Sequence, residues 1–247
     1  MWGVEQLCGV GARSRFWIAL ESMPRSASAS SVASGHRPAL LASLIVSLLI
    51  LAGLFLLVGH HRALGIDRQA FDVLAVSRGS VLARLAKPAA WLGPWFLAWL
   101  LLGVSVMLAR HRSWLGLTVL LSGFALSFVT VHIAKIQDGR PRPLGPLLHA
   151  TGYSFPSSDS TTCAVVIVCA IAVAGLITDR RLRLVLIALS CAITIGVGLL
   201  FIAVRVHYLT DVIAGWALAA AAYAACALVA QALSPYFARR SVVARSA

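Results

Sequence analysis

Acidic residues are scarce in this sequence: eight Asp and Glu among 247 residues, against 21 Lys and Arg. Charge of either sign makes up only 12% of the chain, about half of what a soluble domain carries. That composition excludes a water-soluble fold of the ordinary kind. Cysteine is sparse too. Cys8, Cys163, Cys169, Cys191 and Cys226 show no metal-binding spacing, and the last four lie in apolar runs, where cysteine serves as a small hydrophobe. No metal and no cofactor is expected. The formal net charge of +13 would suggest nucleic acid on a soluble protein. Here the arginines sit mostly at the ends of apolar runs, so nucleic acid is excluded as a partner and the charge is read as topology and headgroup contact.

What fills the chain instead is apolar: 60% hydrophobic residues, with a mean hydropathy of +0.90. These residues fall in blocks of about 20, the length a helix needs to cross the hydrocarbon core. Backbone groups in lipid must bond within their own helix. The expected fold is therefore all-α, a six-transmembrane-helix bundle. Its spans read 38–58, 88–108, 115–133, 161–177, 184–204 and 212–233. Between the first two, Phe71, Leu74, Val81, Leu82 and Leu85 fall near one face at helical spacing, which predicts an interfacial amphipathic helix, with Arg78 on the same face. Residues 1–37 hold the low-complexity run Ser26–Ser31 and read as a disordered cytoplasmic segment, with Met23 an alternative start. Residues 38–233 form the membrane domain and 234–247 a basic cytoplasmic tail. With the amino end inside, Arg13, Arg15, Arg25, Arg37, Arg110, Arg112, Arg180, Arg181, Arg183, Arg239, Arg240 and Arg245 are cytoplasmic, 12 of the 21 basic residues. Both termini are accordingly placed in the cytoplasm.

Four further basic residues, Lys135, Arg140, Arg142 and Arg205, share the outer ends of spans three to six with Asp138, Asp159, His207 and Asp211. Ionisable groups at membrane depth are costly and usually mark a functional site, although a single span-end arginine is also explained by snorkelling. A phosphate group needs fixed cations, because its charge spreads over the oxygens as a bond breaks. Lys135 offers a point charge and Arg142 a bidentate fork, on a turn that Gly139 and Pro143 would stiffen. Ser157 and Ser158 precede the fourth helix, where they either meet an anion or cap the helix. His207 and Asp211 are four apart and share a face if the sixth helix begins that early. A carboxylate on one imidazole nitrogen would leave the other free to attack phosphorus; the bland alternative is a structural hydrogen bond.

The segment Lys135-Ile136-Gln137-Asp138-Gly139-Arg140-Pro141-Arg142-Pro143 fits K-x6-R-P, followed by Phe155-Pro156-Ser157-Ser158-Asp159 and Arg205-Val206-His207-Tyr208-Leu209-Thr210-Asp211. In order and spacing these resemble the three motifs of the type 2 phosphatidic acid phosphatase superfamily, which includes the vanadium haloperoxidases: K-x6-R-P, P-S-G-H and S-R-x5-H-x3-D. The resemblance implies an integral membrane, metal-independent lipid-phosphate phosphatase of the plasma membrane, its site facing the extracytoplasmic side. His207 would be the nucleophile that forms a phosphohistidine, and Asp211 would orient it. Lys135, Arg142, Ser157 and Ser158 would hold the phosphate. Two positions depart from the family pattern. Asp159 stands where the family has the His that protonates the leaving group, and Phe201 stands where it has a phosphate-binding Arg. Arg205, four residues after Phe201 and one helical turn on, is the expected replacement. Asp159 acts as the acid in a different local setting, or the substrate is a diphosphate whose leaving group is already acidic. The substrates expected are polyprenyl diphosphate, phosphatidate or phosphatidylglycerophosphate. The alternatives are a catalytically impaired phospholipid-headgroup-binding protein and a lipid phosphotransferase. His132 and His149 are candidate substitute acids, each with a structural role as the favoured alternative.

Overall fold

The structure, a computed structural model, describes residues 37–59 and 63–246, with side chains as far as Ser234. The expectations for residues 1–36, Met23 included, lie outside the described residues, as do the side chains of the basic tail. Every regular element among the described residues is helical. α1 spans Arg37–Val58, and α2 is the short Gly65–Leu74. α3 spans Val81–Arg110, and α4 spans Trp114–Asp138. Ser158–Cys163 (α5) and Val165–Ala174 (α6) are short, α7 is Arg180–Ala203, and α8 runs from Leu209 to Ser246.

Five of these helices, α1, α3, α4, α7 and the Leu209–Ser234 part of α8, are long and apolar enough to cross a membrane. The fourth expected span, 161–177, differs. Ser158–Ala174 is a shorter apolar helix, interrupted at Ala164. At 1.5 Å per residue it covers roughly 25 Å, less than the hydrocarbon core. Its first turn, Ser158-Asp159-Ser160-Thr161-Thr162, is polar, so length is given up where the chain carries side chains with chemistry.

The region before the second span also departs from expectation. The stretch 65–85 is not one amphipathic helix: α2 ends at Leu74, and Ser80 starts α3 by accepting from the Ala83 amide at 3.2 Å. Phe71 and Val81 therefore lie on different helices. Pro88 stands inside α3 instead of opening it. Proline at a helix start is a sound signal, but the serine cap about two turns earlier outcompetes it.

α8 is the central helix. Of its most apolar stretch 56% is enclosed by protein, against 11% for α1 and for α3. The outer helices therefore present Leu49, Leu56, Trp91 and Trp95 outward, as a lipid-facing surface requires. Close approach depends on small residues. A Cβ on Gly215 would stand 2.5 Å from the Ser157 carbonyl oxygen, so α8 packs directly on the α5 turn. At the same end Val76 N–H bonds Ala203 O, Leu147 N–H bonds Val204 O and Ser157 N–H bonds Asp211 O. These bonds tie the α2–α3 connection, the 139–157 loop and the α7–α8 connection together. Three segments far apart in sequence meet there.

Candidate active site

His207 lies at the centre of that junction and is fully buried. It is not on α8, which starts at Leu209. The expected helical-face relation to Asp211 is thus replaced by a capping one. Asp211 turns back in the first turn of α8 and accepts from the Tyr208 amide at 2.8 Å. This capping bond brings Oδ2 of Asp211 to 3.5 Å from Nδ1 of His207, an ion-pair approach longer than a good hydrogen bond. The other nitrogen, Nε2, faces the opposite way, 3.2 Å from Oδ2 of Asp159 and 3.4 Å from Nη1 of Arg142. Phe201 meets the imidazole edge-on, with ring centroids 6.2 Å apart and an interplanar angle of 80°.

Behind Asp211 stands a network that the motifs alone do not reveal. Arg140, fully buried, donates from Nη1 to Asp211 Oδ1 at 2.6 Å and to Thr210 Oγ1 at 2.8 Å. From Nη2 it donates to Asp67 Oδ2 at 2.8 Å. The guanidinium carbon also lies 4.0 Å from the centre of the Tyr208 ring. Asp67, equally buried, accepts from the Thr210 amide at 2.9 Å and from the Leu64 amide at 3.0 Å. Asp67, Thr210 and Tyr208 were not singled out by sequence reasoning. The adjacency of Thr210 and Tyr208 to His207 was a usable signal. For Asp67 the only signal was its rarity, as one of eight acids in a chain with little use for them.

The cations expected to hold phosphate line the front. Arg142 is held by carbonyls, donating to Val206 at 3.0 Å, Thr151 at 2.9 Å and Gly152 at 3.2 Å. Burial lowers its pKa, with Asp159 and Asp211 opposing, and a guanidinium stays charged regardless. Lys135 donates to the carbonyls of Tyr153 and Ser154 at 2.8 and 3.4 Å. It leaves the last turn of α4, which Gly139 ends in the left-handed conformation (φ 67°) with its amide bonded to Lys135 O. Ser157 is buried and caps α5, accepting from the Ser160 amide at 3.2 Å. Ser158 opens α5 beside Asp159.

The Asp159 side chain is 44% exposed, with its carboxylate 3.2 Å from Nε2 of His207. An aspartate of ordinary pKa, about 3.9, is ionised at neutral pH, the state in which it cannot donate a proton.

Arg205 joins none of these contacts. It is exposed, with φ 58°, two residues beyond the end of α7. The premise that it extends one helical face from Phe201 fails, because α7 stops at Ala203. His132 bonds the Phe128 carbonyl at 2.7 Å, and His149 is exposed in the loop. Among the described residues, no group of three His, Cys, Asp or Glu is placed to hold a metal ion.

A cavity of about 780 Å³ ends at this site. Leu97, Phe124, Val197 and Phe201 line its apolar length, and Ser158 and Asp159 contribute polar groups. The volume lies in the range of small-molecule sites, and the lining suits a chain of methylenes next to a charged head.

Comparison with known proteins gives a consistent placement. The family model of the PAP2 superfamily matches residues 114–235, which hold every residue of the cluster except Asp67. Among solved structures, the chain is similar to a transmembrane PAP2 type phosphatidylglycerolphosphate phosphatase from Bacillus subtilis. The match has 22% identity and a TM-score of 0.57, and covers 81% of this chain and 96% of that one. A comparison with curated proteins gives no match.

Proposed function

The chain belongs to the PAP2 superfamily, and on that premise we propose that it is an integral membrane phosphatase acting on a lipid phosphate through a phosphohistidine on His207. One observation carries the reading. Nδ1 of His207 faces Asp211 while Nε2 faces Arg142 and Asp159, beside an apolar cavity. In the proposed step the Nε2 lone pair attacks phosphorus, the bond to the leaving oxygen breaks, and Nδ1–H stays on Asp211. Arg142 and Lys135 neutralise charge on the phosphoryl oxygens, exchanging carbonyl partners for phosphate. Ser158 adds a hydroxyl, while Ser157 fixes the turn that presents it. Water then releases phosphate from the histidine.

Asp159 gives this site its substrate preference. An ionised carboxylate is no general acid, so a leaving group that needs no proton is favoured. A polyprenyl diphosphate suits that demand better than phosphatidate or phosphatidylglycerophosphate. The chain crosses the bilayer six times in this reading, α5 and α6 together making the short fourth crossing. Its termini are cytoplasmic and the site opens to the extracytoplasmic face of the plasma membrane. The alternation of basic segments along the sequence supports that orientation.

The test is phosphate release by the purified full-length protein from those three lipids across pH. Release abolished by His207→Ala supports the enzyme. A second reading, headgroup binding without turnover, is favoured by the carboxylate of Asp159 resting on Nε2. Tight lipid-phosphate binding without release from any of the three would establish it, and loss of lipid phosphate without free phosphate would indicate transfer to another acceptor.

A further inference from the structure

The buried network contains more negative charge than Arg140 can neutralise. Asp67 and Asp211 each place a carboxylate oxygen on its guanidinium, at 2.8 and 2.6 Å, and all three side chains have no exposed surface. These two carboxylates outnumber the one guanidinium they share, and none of the three side chains is open to water. The nearest charge-accepting group is His207, whose Nδ1 lies 3.5 Å from Asp211. Asp67 shares the guanidinium with Asp211 and so draws part of its positive charge away from that carboxylate. With it, the charge on Asp211 is available to the ring.

We propose that Asp67, on the short helix α2, is a positioning residue for the histidine: through Arg140 and Thr210 it fixes Asp211 and leaves its negative charge directed at His207. This rests on the reading of His207 as nucleophile. When Nε2 attacks phosphorus, positive charge develops on the ring, and a buried anion at Nδ1 stabilises it. Asp67 never touches substrate, because Arg140 and Thr210 stand between it and the histidine.

The geometry is specific. The oxygens of Asp67 are divided between two jobs. Oδ2 takes Arg140 and the Leu64 amide, Oδ1 takes the Thr210 amide, and the Thr210 hydroxyl lies 3.0 Å from Oδ1 and 3.1 Å from Oδ2. Every partner is a donor, so Asn at this position turns one acceptor into a donor facing donors. Thr210 links the two halves, since its hydroxyl accepts from Arg140 and reaches Asp67. Surface capping would not need a carboxylate buried to this depth. α2 thereby ties a segment outside the five long spans to the reacting centre.

The experiment compares Asp67→Asn, Thr210→Val and Thr210→Ser in the full-length protein, with His207→Ala as the control. The expected result is a fall in kcat of about tenfold or more for the first two. KM stays within about threefold, because Lys135 and Arg142 are untouched, and Thr210→Ser recovers kcat. If Asp67→Asn fails to fold, Thr210→Val carries the test. A loss confined to KM, unchanged kcat, or failure of both variants to fold overturns the proposal, the last by making the network purely structural. A second readout is independent of turnover: nitrogen NMR of the His207 ring. A proton held on Nδ1 in the natural sequence and shared between nitrogens in the folded variant supports positioning even if no lipid is hydrolysed. An unchanged spectrum overturns it while leaving the phosphatase reading intact.

Discussion

The two sides of the His207 ring are built on opposite principles. Behind it, toward Nδ1, Asp211, Arg140, Asp67 and Thr210 are buried and joined by short charged bonds. In front, toward Nε2, Arg142 and Lys135 rest on loop carbonyls and Asp159 is half exposed. The rear holds a charge pattern in place, and the front trades partners when a ligand arrives. Both departures from the family pattern, Asp159 and Phe201, fall on the front. Substitution there alters what is bound or protonated, whereas substitution in the rear leaves a charge stranded in protein.

Arg140→Met breaks the rear most severely. It leaves two buried carboxylates without their shared cation, a loss of about 3–5 kcal/mol. Thermal unfolding in detergent should fall sharply, and an unchanged midpoint would mean that water reaches the network. Next in size is Gly215→Ala. The added Cβ meets a backbone oxygen at 2.5 Å, which a rotamer change cannot relieve. The expected cost is about 1–3 kcal/mol. Because Ser157 N–H bonds Asp211 O beside it, kcat should drop along with stability. A variant of full stability and activity would show that α8 and α5 are looser than the close approach implies.

The front responds differently. Arg142→Lys keeps the charge and loses the fork, so KM should rise about tenfold, roughly 1.4 kcal/mol. The unfolding midpoint should barely move, since the arginine is only partly buried. A large stability loss with unchanged KM would reverse the assignment and make Arg142 a loop brace.

The same division explains what was legible in the sequence. The apolar blocks announced helices in a membrane, and the motif order brought Lys135, Arg142, His207 and Asp211 into one place. Local rules failed where tertiary contact decides. Asp67 lies 73 residues before Arg140, and no spacing rule connects a lone aspartate to a partner that distant. Arg205 fits a helical period, but α7 ends at Ala203 and the φ of 58° takes the arginine off that face. The fourth span was read at full length because its apolar run is continuous from Ala164, and only the fold shows its polar first turn committed to the site. Rarity was the unused signal: a buried acid in a chain with eight has a partner.

Asp159 gives the smallest effect and the sharpest distinction. Its carboxylate pairs with His207 at 3.2 Å, and protonating it in acid removes that pairing. Asp159→Asn should therefore cost little at neutral pH, under about 1 kcal/mol for a carboxylate that is 44% exposed, and nothing in strong acid. Activity separates the roles of the group more cleanly than stability. If the ionised carboxylate donates no proton, Asp159→Asn leaves phosphate release from phosphatidate within about threefold of its starting rate. Asp159→His supplies a donor near neutral pH, and should raise release from phosphatidate by about tenfold or more while changing release from a polyprenyl diphosphate far less. The ratio of the two rates is the quantity to measure, because it cancels differences in protein amount and folding. Abolished phosphatidate hydrolysis in Asp159→Asn at neutral pH would identify Asp159 as the proton donor after all, and would place chemistry, as well as binding, on the exchangeable side of the ring.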